Sequence, residues 1–191
     1  MQHLFCGNIL PKYFSHACLV LLPKIDHPNK FSEFRPISLS NFSNKIIPKI
    51  FCFRLAGILP QFISENQSGF VKGRSIPENI MLAQEITHRI KQPNKGDNVV
   101  IKLDMAKAYD RVSWSYTCLV LQKMGFGENF IDLVWRIMSN NWYSVIINGY
   151  RHGFFKSTRG LKQGDPLSPS LFILGAEVLF RMLNMIHQQQ H

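Results

Sequence analysis

The sequence predicts an α+β fold, and three observations support this prediction. Apolar residues recur at helical spacing in several stretches, short β-branched runs separate those stretches, and an Asn-Gly pair at 148–149 lies between two strand-like segments. The 191 residues are 46% hydrophobic and include 15 phenylalanines, which is typical of a folded protein with its own core. A chain of this length can form one or two small lobes.

The first half of the chain is predicted to form one strand and two helices. Residues 17–25 are an apolar run typical of a buried strand. Residues 44–59 show helical apolar spacing, with Pro48 expected in the first turn. A capping box that begins at Ser75 predicts a second helix, which should end near Ile90.

The second half is predicted to form a strand, two helices, a hairpin and a final helix. Residues 99–104 are almost continuously apolar, as expected for a central strand covered on both faces. Helices are expected at about 112–124 and 128–140, and hairpin strands at 143–149 and 153–157. A final helix from about Ser168 to Ile186 should bury the side formed by Leu171, Ile173, Leu174, Val178, Leu179 and Leu183.

The charge and cysteine content narrow the class of protein. The net charge is +10, from 22 Lys and Arg against 12 Asp and Glu. This suits a surface that follows a phosphate backbone, although a basic protein with no nucleic-acid partner has the same charge. The four cysteines lack CxxC spacing, which indicates free thiols in a reducing compartment and no zinc site. No apolar run reaches about 18 residues and no secretion signal is evident, so we expect no membrane partner and no secretion. The location is left open, with the nucleus or the cytoplasm as the alternatives if the chain is expressed.

Asp104 is the strongest candidate for a metal ligand. It ends the predicted strand 99–104, and sites for two-metal phosphoryl transfer use carboxylates to hold Mg²⁺ ions about 3.5–4 Å apart. The alternative is an Asp that caps the following helix. Tyr109 is either an aromatic that stacks under a sugar or a core tyrosine. Asp110 is either a further ligand or, as we favour, the cap of a helix that starts near Val112.

A turn rich in glycine and proline is the second candidate. Gly160 and Gly164 allow positive φ and close backbone approach, and Gln163 lies between them. Pro166 and Pro169 stiffen the exit and start a helix. Such a turn could press against a base pair or a sugar, but an ordinary strand-to-helix connection could use the same residues.

Basic residues of the first half are candidates for phosphate contacts. Lys24, Arg35 and Arg74 are the best placed of these, and the planar guanidinium of arginine suits phosphate oxygens. For any one of them, solvated surface charge is the simpler explanation.

Taken together, these segments resemble a known family. Five motifs occur in order, at residues 22–24, 34–39, 67–75, 103–110 and 159–169. They strongly resemble the reverse transcriptase domain of non-LTR (LINE-type) retrotransposons, particularly those of plants. The resemblance covers about residues 10 to 186.

The resemblance implies the right-hand polymerase fold. Residues 1–96 would form the fingers and residues 97–191 part of the palm, with an incomplete antiparallel palm sheet and no thumb. The implied partners are an RNA template, a DNA primer, deoxynucleoside triphosphates and the rest of a retroelement polyprotein. The implied cofactor is Mg²⁺, with Mn²⁺ as an alternative.

The resemblance also assigns roles to single residues. Asp104 would be the first catalytic metal ligand, with the carbonyl of Met105 beside it, and Tyr109 would be the steric gate that senses the sugar. Contacts with the nucleotide or the template would come from Lys24, Arg35, Arg74, Gln163 and Gly164.

The chain departs from the family pattern in one respect. The family's next motif is an aromatic-Ala-Asp-Asp hairpin, whereas this chain contains no Asp-Asp dipeptide, and after Asp165 its only acidic residue is Glu177. We therefore expect a polymerase fragment that is inactive alone. The alternative is a non-catalytic nucleic-acid-binding remnant, and a maturase-like splicing cofactor is a weaker third option.

Overall fold

The computed structural model describes residues 7–8, 10–90 and 99–188. It is a mixed α+β fold, which agrees with the predicted class. The helices are α1 (Lys12–Ser15), α2 (Phe42–Phe62), α3 (Ile76–Arg89), α4 (Ala108–Arg111), α5 (Trp114–Lys123), α6 (Glu128–Ser139) and α7 (Ser168–Gln188). The strands are β1 (His16–Pro23), β2 (Phe34–Ser40), β3 (Trp142–Ile147) and β4 (Tyr150–Lys156).

Within the described residues, the four strands form one mixed sheet in the order β2-β1-β3-β4. β1 pairs antiparallel with β2 and parallel with β3, and β3 pairs antiparallel with β4. The sheet therefore joins strands from both sides of the expected boundary at 96/97. The boundary itself lies outside the described residues. That division of the chain stays a prediction.

β2 was not expected from the sequence. Its partner register places Pro36 opposite Leu21 and Arg35 opposite Leu22. A proline lacks the N–H that a central strand needs, and β2 tolerates it because β2 lies at the edge of the sheet. The pairing with β1 is what makes this segment a strand.

The hairpin between β3 and β4 confirms the Asn-Gly prediction. Asn148 has φ 50° and Gly149 has φ 83°, so both turn residues lie in the left-handed region that a two-residue type I′ turn requires. The register places Ile147 opposite Tyr150.

The core lies among α2, α5, α6, α7 and the turn that precedes α7. Its fully buried side chains include Leu55, Leu121, Val134, Leu167 and Leu174. The helices at 44–59, 112–124 and 128–140 are confirmed with modest shifts in their ends.

The start of α2 corrects the prediction for Pro48. The Asn41 side chain caps the helix by accepting a hydrogen bond from the Asn44 N–H at 2.7 Å. Because the helix begins at Phe42, Pro48 lies in its second turn and not in its first, where it cannot donate to the carbonyl of Asn44.

The start of α3 corrects the predicted capping box. Ser75 occupies the N-cap position, but its side chain makes no capping hydrogen bond. Pro77 lies in the first turn, where its missing N–H costs nothing. No residue of α3 is buried, and the exposed apolar side chains include Ile76, Ile80 and Ile86.

The predicted central strand at 99–104 is wrong. Residues 99–105 have no helical or strand assignment, and Val99, Ile101 and Leu103 are 76%, 77% and 64% exposed. A buried strand needs neighbours on both edges and a layer on each face. Within the described chain, both edges of β1 and β3 are taken by the other strands, and nothing covers this segment.

The final helix is buried over its first half only. Leu171, Ile173 and Leu174 are buried as expected, Val178 is partly buried, and Leu179 and Leu183 are 38% and 48% exposed. The prediction was therefore wrong for the last two leucines, because the described residues leave these two side chains largely uncovered.

One stretch of α7 meets the length and composition of a membrane span. Ser168–Ile186 has a mean hydropathy of 1.4. The stretch contains Glu177 and Arg181, and its first turns lie in the core. The helix therefore has the features of a core helix, and the expected absence of a membrane partner stays a prediction.

Candidate functional site

The glycine-proline turn is held by backbone hydrogen bonds to the segment around Tyr109. The Gly160 N–H donates to the Val112 carbonyl and the Leu161 N–H donates to the Tyr109 carbonyl, both at 2.8 Å. The Trp114 indole donates to the Gly160 carbonyl at 2.7 Å. Two motifs that are about fifty residues apart are thereby held together.

The same turn also contacts β2. The Ser38 N–H donates to the Gln163 carbonyl at 2.9 Å. A Cβ added to Gly164, at φ +97°, would meet the Ser38 carbonyl at 3.4 Å. The turn therefore bridges a motif of the first half and a motif of the second half.

Gly160 is the position at which the turn requires glycine. Its φ is +89°, and an added Cβ would lie 3.0 Å from the Asp110 carbonyl oxygen and 3.2 Å from the Tyr109 carbonyl oxygen. Both neighbours are backbone atoms that cannot rotate away. A side chain at this position would separate the two motifs.

A small hollow of about 160 Å³ lies between the sheet and the turn. Backbone and side chains of three sequence motifs line it, together with β3. The lining includes Pro36, Ser38, Asp110, Tyr143, Arg159 and Gln163. The structure thus brings Gln163 next to the β2 motif.

Tyr143 is a member of this hollow that sequence reasoning missed. Burial raises the pKa of its phenol above the usual range, while a side-chain hydrogen bond with Ser38 opposes the shift. The phenol is therefore neutral at physiological pH. The sequence offered one signal for this position. Successive residues of a strand point to opposite faces, so Tyr143 and Trp142 were expected on different sides of the sheet.

Lys162 and Asp165 make the turn's interior polar. Lys162 is 6% exposed, and burial lowers its pKa to about 8 while Asp165 opposes the change. Its Nζ donates to the Ser15 carbonyl at 3.4 Å. Burial raises the pKa of Asp165, which accepts from the Leu167 N–H at 2.9 Å. Lys162 therefore ties the turn to the end of α1, whereas the Asp165 carboxylate makes a hydrogen bond within the turn.

The segment 108–113 settles one prediction and leaves another open. Ser113, and not Asp110, caps α5 by accepting from the Tyr116 N–H, so the predicted role of Asp110 as a cap is wrong because Asp110 lies inside α4. Tyr109 is half-buried and stacks on Phe172 with ring centroids 5.1 Å apart. Burial raises its pKa.

Asp104 lies apart from the small hollow. It is exposed and, with Met105, lines a separate groove of about 780 Å³ between residues 104–116 and α7. Within the described chain no group of three or more His, Cys, Asp or Glu side chains could hold a metal ion. Asp104 offers the one carboxylate among the described residues that line this groove.

The three basic candidates lie in different environments. The Lys24 ammonium donates to the Ser32 carbonyl at 2.8 Å and is exposed. Arg35 is exposed on the edge strand β2 and makes no side-chain hydrogen bond or ion pair with the part of the chain that the structure describes. The Arg74 guanidinium donates to backbone carbonyls, those of Pro60, Ile63, Ser64 and Gln67.

Glu177 is a structural residue that sequence reasoning did not place. Its carboxylate accepts from the Ser64 N–H at 3.1 Å and from the Ser64 hydroxyl at 2.6 Å. The Arg181 guanidinium donates to Glu177 at 3.0 Å and to the Phe62 carbonyl at 2.6 Å. The network ties the end of α2 to α7.

Comparison with known proteins gives one family and several relatives. The family model for reverse transcriptase (RNA-dependent DNA polymerase) matches residues 23–191. The chain is similar to the uncharacterized 149 kDa protein of transposon TX1 of Xenopus laevis, with 32% identity over 174 residues, or 91% of the chain and 13% of that protein.

Two further relatives extend this result. A retrovirus-related Pol polyprotein from the type-2 retrotransposable element R2DM of Drosophila melanogaster is 29% identical over 180 residues, or 94% of the chain and 17% of the polyprotein. An uncharacterized mitochondrial protein of Arabidopsis thaliana is 52% identical over 44 residues, or 23% of the chain and 36% of that protein. The chain spans less than a fifth of the TX1 and R2DM proteins.

Proposed function

The chain belongs to the reverse transcriptase family, and we propose that it forms the nucleotide- and template-holding part of an RNA-directed DNA polymerase from a non-LTR retrotransposon. In the proposed reaction, the 3′-hydroxyl of a DNA primer attacks the α-phosphate of a deoxynucleoside triphosphate opposite an RNA template. Pyrophosphate is the leaving group. The protein would contribute positioning and charge stabilisation.

The convergence of three motifs on one hollow is the observation that carries this proposal. Ser38, Asp110 and Gln163 line the hollow although they lie far apart in sequence. The hydrogen bond from Ser38 to the Gln163 carbonyl sets the position of the turn. A rigid turn of this kind can fix a base pair by contact, which is how a polymerase gains from pre-organisation.

Arg35 and Lys24 are proposed to hold the triphosphate. Both are exposed, and Arg35 makes no side-chain hydrogen bond or ion pair among the described residues, so its guanidinium is available to phosphate oxygens. Arg74 has less capacity for this role because its N–H groups already donate to backbone carbonyls. Its proposed contact with template or nucleotide would therefore be indirect.

Asp104 is proposed as one metal ligand, with the Met105 carbonyl beside it. Reverse transcriptases use divalent ions, and Mg²⁺ or Mn²⁺ would reduce the charge repulsion between phosphates and primer. One exposed carboxylate cannot hold two ions. In this proposal, further carboxylates come from other parts of a longer protein.

The division into fingers for residues 1–96 and partial palm for 97–191 belongs to the same proposal. The 52% identity to the Arabidopsis protein over 44 residues supports the proposed plant-type origin. The rest of the retroelement polyprotein is the proposed partner.

Primer extension on an RNA template tests the function, with a longer protein that contains the whole reverse transcriptase. Arg35→Ala should raise KM for the nucleotide about tenfold or more, because it loses charge-assisted hydrogen bonds worth roughly 1.5–3 kcal/mol each. Arg54→Ala, at an exposed position on α2, is the matched control. If template affinity falls while KM for nucleotide does not, the triphosphate assignment is wrong.

Tyr109→Ala in the same protein separates the two interpretations of this tyrosine. A steric gate predicts increased insertion of ribonucleotides relative to deoxynucleotides. A tyrosine that only packs on Phe172 predicts reduced stability with an unchanged insertion ratio.

Asp104→Asn should abolish incorporation, and incorporation that survives this change would remove Asp104 from the metal site.

A non-catalytic nucleic-acid-binding remnant is the second candidate. The exposure of Asp104 and the lack of a three-ligand cluster among the described residues favour it over an active enzyme for this chain alone. A longer protein that binds RNA but extends no primer would support this candidate.

A further inference from the structure

The sheet has a second face, which lies opposite the hollow that holds Gln163. Ser38 and Tyr143 line that hollow. Successive residues of a strand point to opposite faces, so residues adjacent to these two in sequence, such as Trp142, lie on the other side of the sheet. His16 pairs with Trp142, and Ile146 pairs with Arg151. We call the side that carries these residues and Phe154 the outer sheet face.

Aromatic rings follow one another along the outer sheet face. Phe154 stacks on Trp142 with centroids 5.0 Å apart and on His16 with centroids 5.4 Å apart. The Lys12 ammonium lies 4.4 Å from the centroid of the Trp142 ring. The rings are not sealed in a core, since Phe154 is 54% exposed and nearby Tyr13 is 79% exposed.

An open hollow of about 400 Å³ lies beside this row of rings. Its lining includes Tyr13, His16, Leu39, Asn41 and Arg151. The lining combines an exposed aromatic ring, hydrogen-bonding groups and a guanidinium. These are the groups that hold an unpaired base by stacking and its phosphate by charge.

The charge of the sheet is of one sign. The four strands contain no Asp or Glu, and they carry Arg35, Arg151 and Lys156. Lys156 pairs with Trp142, which places it on the outer sheet face with Arg151. Burial is the larger cause of the lowered pKa of His16, and the positive charge of Arg151 lowers this pKa further. Arg151 is therefore close enough to act electrostatically on the row of rings. This face is therefore complementary to a polyanion.

We propose that the outer sheet face is a second binding surface for single-stranded RNA, with bases stacked on Tyr13 and Phe154 and phosphates held by Arg151 and Lys156. The choice of RNA rests on the proposed function, whereas the stacking and charge do not. Unpaired bases are required because a duplex keeps its ring faces covered. The RNA bound to the outer sheet face would be a stretch of template that does not contact the small hollow lined by Gln163.

Binding of fluorescent RNA by the 191-residue chain tests this surface. Anisotropy is measured with a single strand of about 12 nucleotides, within the usual site size, and with an abasic strand that has the same number of phosphates. Tyr13→Leu/Phe154→Leu should weaken RNA binding about fivefold or more, the lower end of base–aromatic stacking. Binding of the abasic strand should change by less than about twofold, since its phosphates are still held by the same cations.

The matched control is Phe31→Leu/Phe53→Leu. These rings are 86% and 82% exposed and lie outside the four strands, so this variant should bind RNA like the parent. Circular dichroism of both variants verifies the fold, and the exposure of all four rings makes unfolding an unexpected result. Equal losses in the two variants, equal losses for RNA and abasic strand, or unchanged RNA affinity would each overturn the proposal.

Arg151→Gln/Lys156→Gln gives an independent measurement. It should weaken binding of both strands and reduce the slope of log K against log salt by about 1.4, at roughly 0.7 for each single-strand phosphate that the protein no longer neutralises. An unchanged slope would exclude these cations from the surface. None of these binding measurements uses primer extension. If a longer protein fails to extend a primer, the proposed function is rejected, and the outer sheet face is still tested by RNA binding.

Discussion

The turn at residues 160–168 and the segment at residues 99–105 differ in a way that their sequences do not reveal. Both contain residues with proposed roles in catalysis or nucleotide contact. The turn is held by backbone hydrogen bonds to Tyr109, Val112 and Ser38. The segment that carries Asp104 is exposed and unpaired among the described residues. A motif can thus contain the side chains that its proposed chemistry needs although the described residues do not hold that segment in place.

The largest expected effect concerns the close backbone contact of the turn. Gly160→Ala should lower the free energy of unfolding by about 3–5 kcal/mol, because it combines left-handed strain with a Cβ 3.0 Å from the Asp110 carbonyl oxygen. Urea denaturation measures the change. Gly57→Ala is the control, since nothing lies within 4 Å of its added Cβ and a helical alanine is favoured over glycine. Equal effects of the two changes would mean that the turn is not tightly held.

The next effect tests whether the first half of α7 is tied down as firmly as the turn before it. Glu177→Gln should lower the free energy of unfolding by about 2–3 kcal/mol, because the buried carboxylate accepts charge-assisted hydrogen bonds from Ser64 and Arg181. Thermal or urea unfolding gives the value. Glu85→Gln removes an exposed pair with Arg89 and should cost less than about 0.5 kcal/mol. Comparable losses would refute the buried network.

The pH dependence of stability tests burial within the turn. Burial lowers the pKa of Lys162 from 10.5 to about 8, so between these values the unfolded chain binds more protons than the folded chain. Stability attributable to Lys162 therefore rises as pH increases. Relative to Lys162→Met, the parent chain should gain about 2 kcal/mol between about pH 7.5 and 9.5. A pH-independent difference would show that Lys162 is solvated.

The smallest effect belongs to the exposed segment. Ile101→Ser should change the free energy of unfolding by less than about 0.5 kcal/mol, because Ile101 is 77% exposed. Leu174→Ser, at a fully buried position of α7, is the contrasting variant and should be strongly destabilising. A large loss for Ile101→Ser would mean that residues 99–104 form the buried strand that the sequence predicted.

Local signals predicted much of this fold. Asn148 and Gly149 predicted the hairpin, and Gly160 and Gly164 predicted the positive φ angles of the turn. Such signals depend on a few neighbouring residues, so they can be recognised in the sequence without knowledge of tertiary contacts. The helices at 44–59, 112–124 and 128–140 were found for the same reason.

Features that depend on distant partners were not predictable from local patterns. β2 contains Pro36 and becomes a strand only by pairing with β1. Residues 99–104 have the composition of a buried strand, but composition does not supply neighbours. The burial of Tyr143, Lys162 and Glu177 likewise results from contacts that no short window contains.

Amide hydrogen exchange, resolved by residue, tests the central contrast most directly. We expect strong protection at Ser38, Gly160 and Leu161, whose N–H groups donate to backbone carbonyls, and exchange near the unfolded rate across residues 99–105. Protection of 99–105 equal to that of the turn would contradict the account, because it would show that the Asp104 segment is already a paired strand. Rapid exchange at Gly160 and Leu161 would contradict it from the other side, because the motif contacts would not be held.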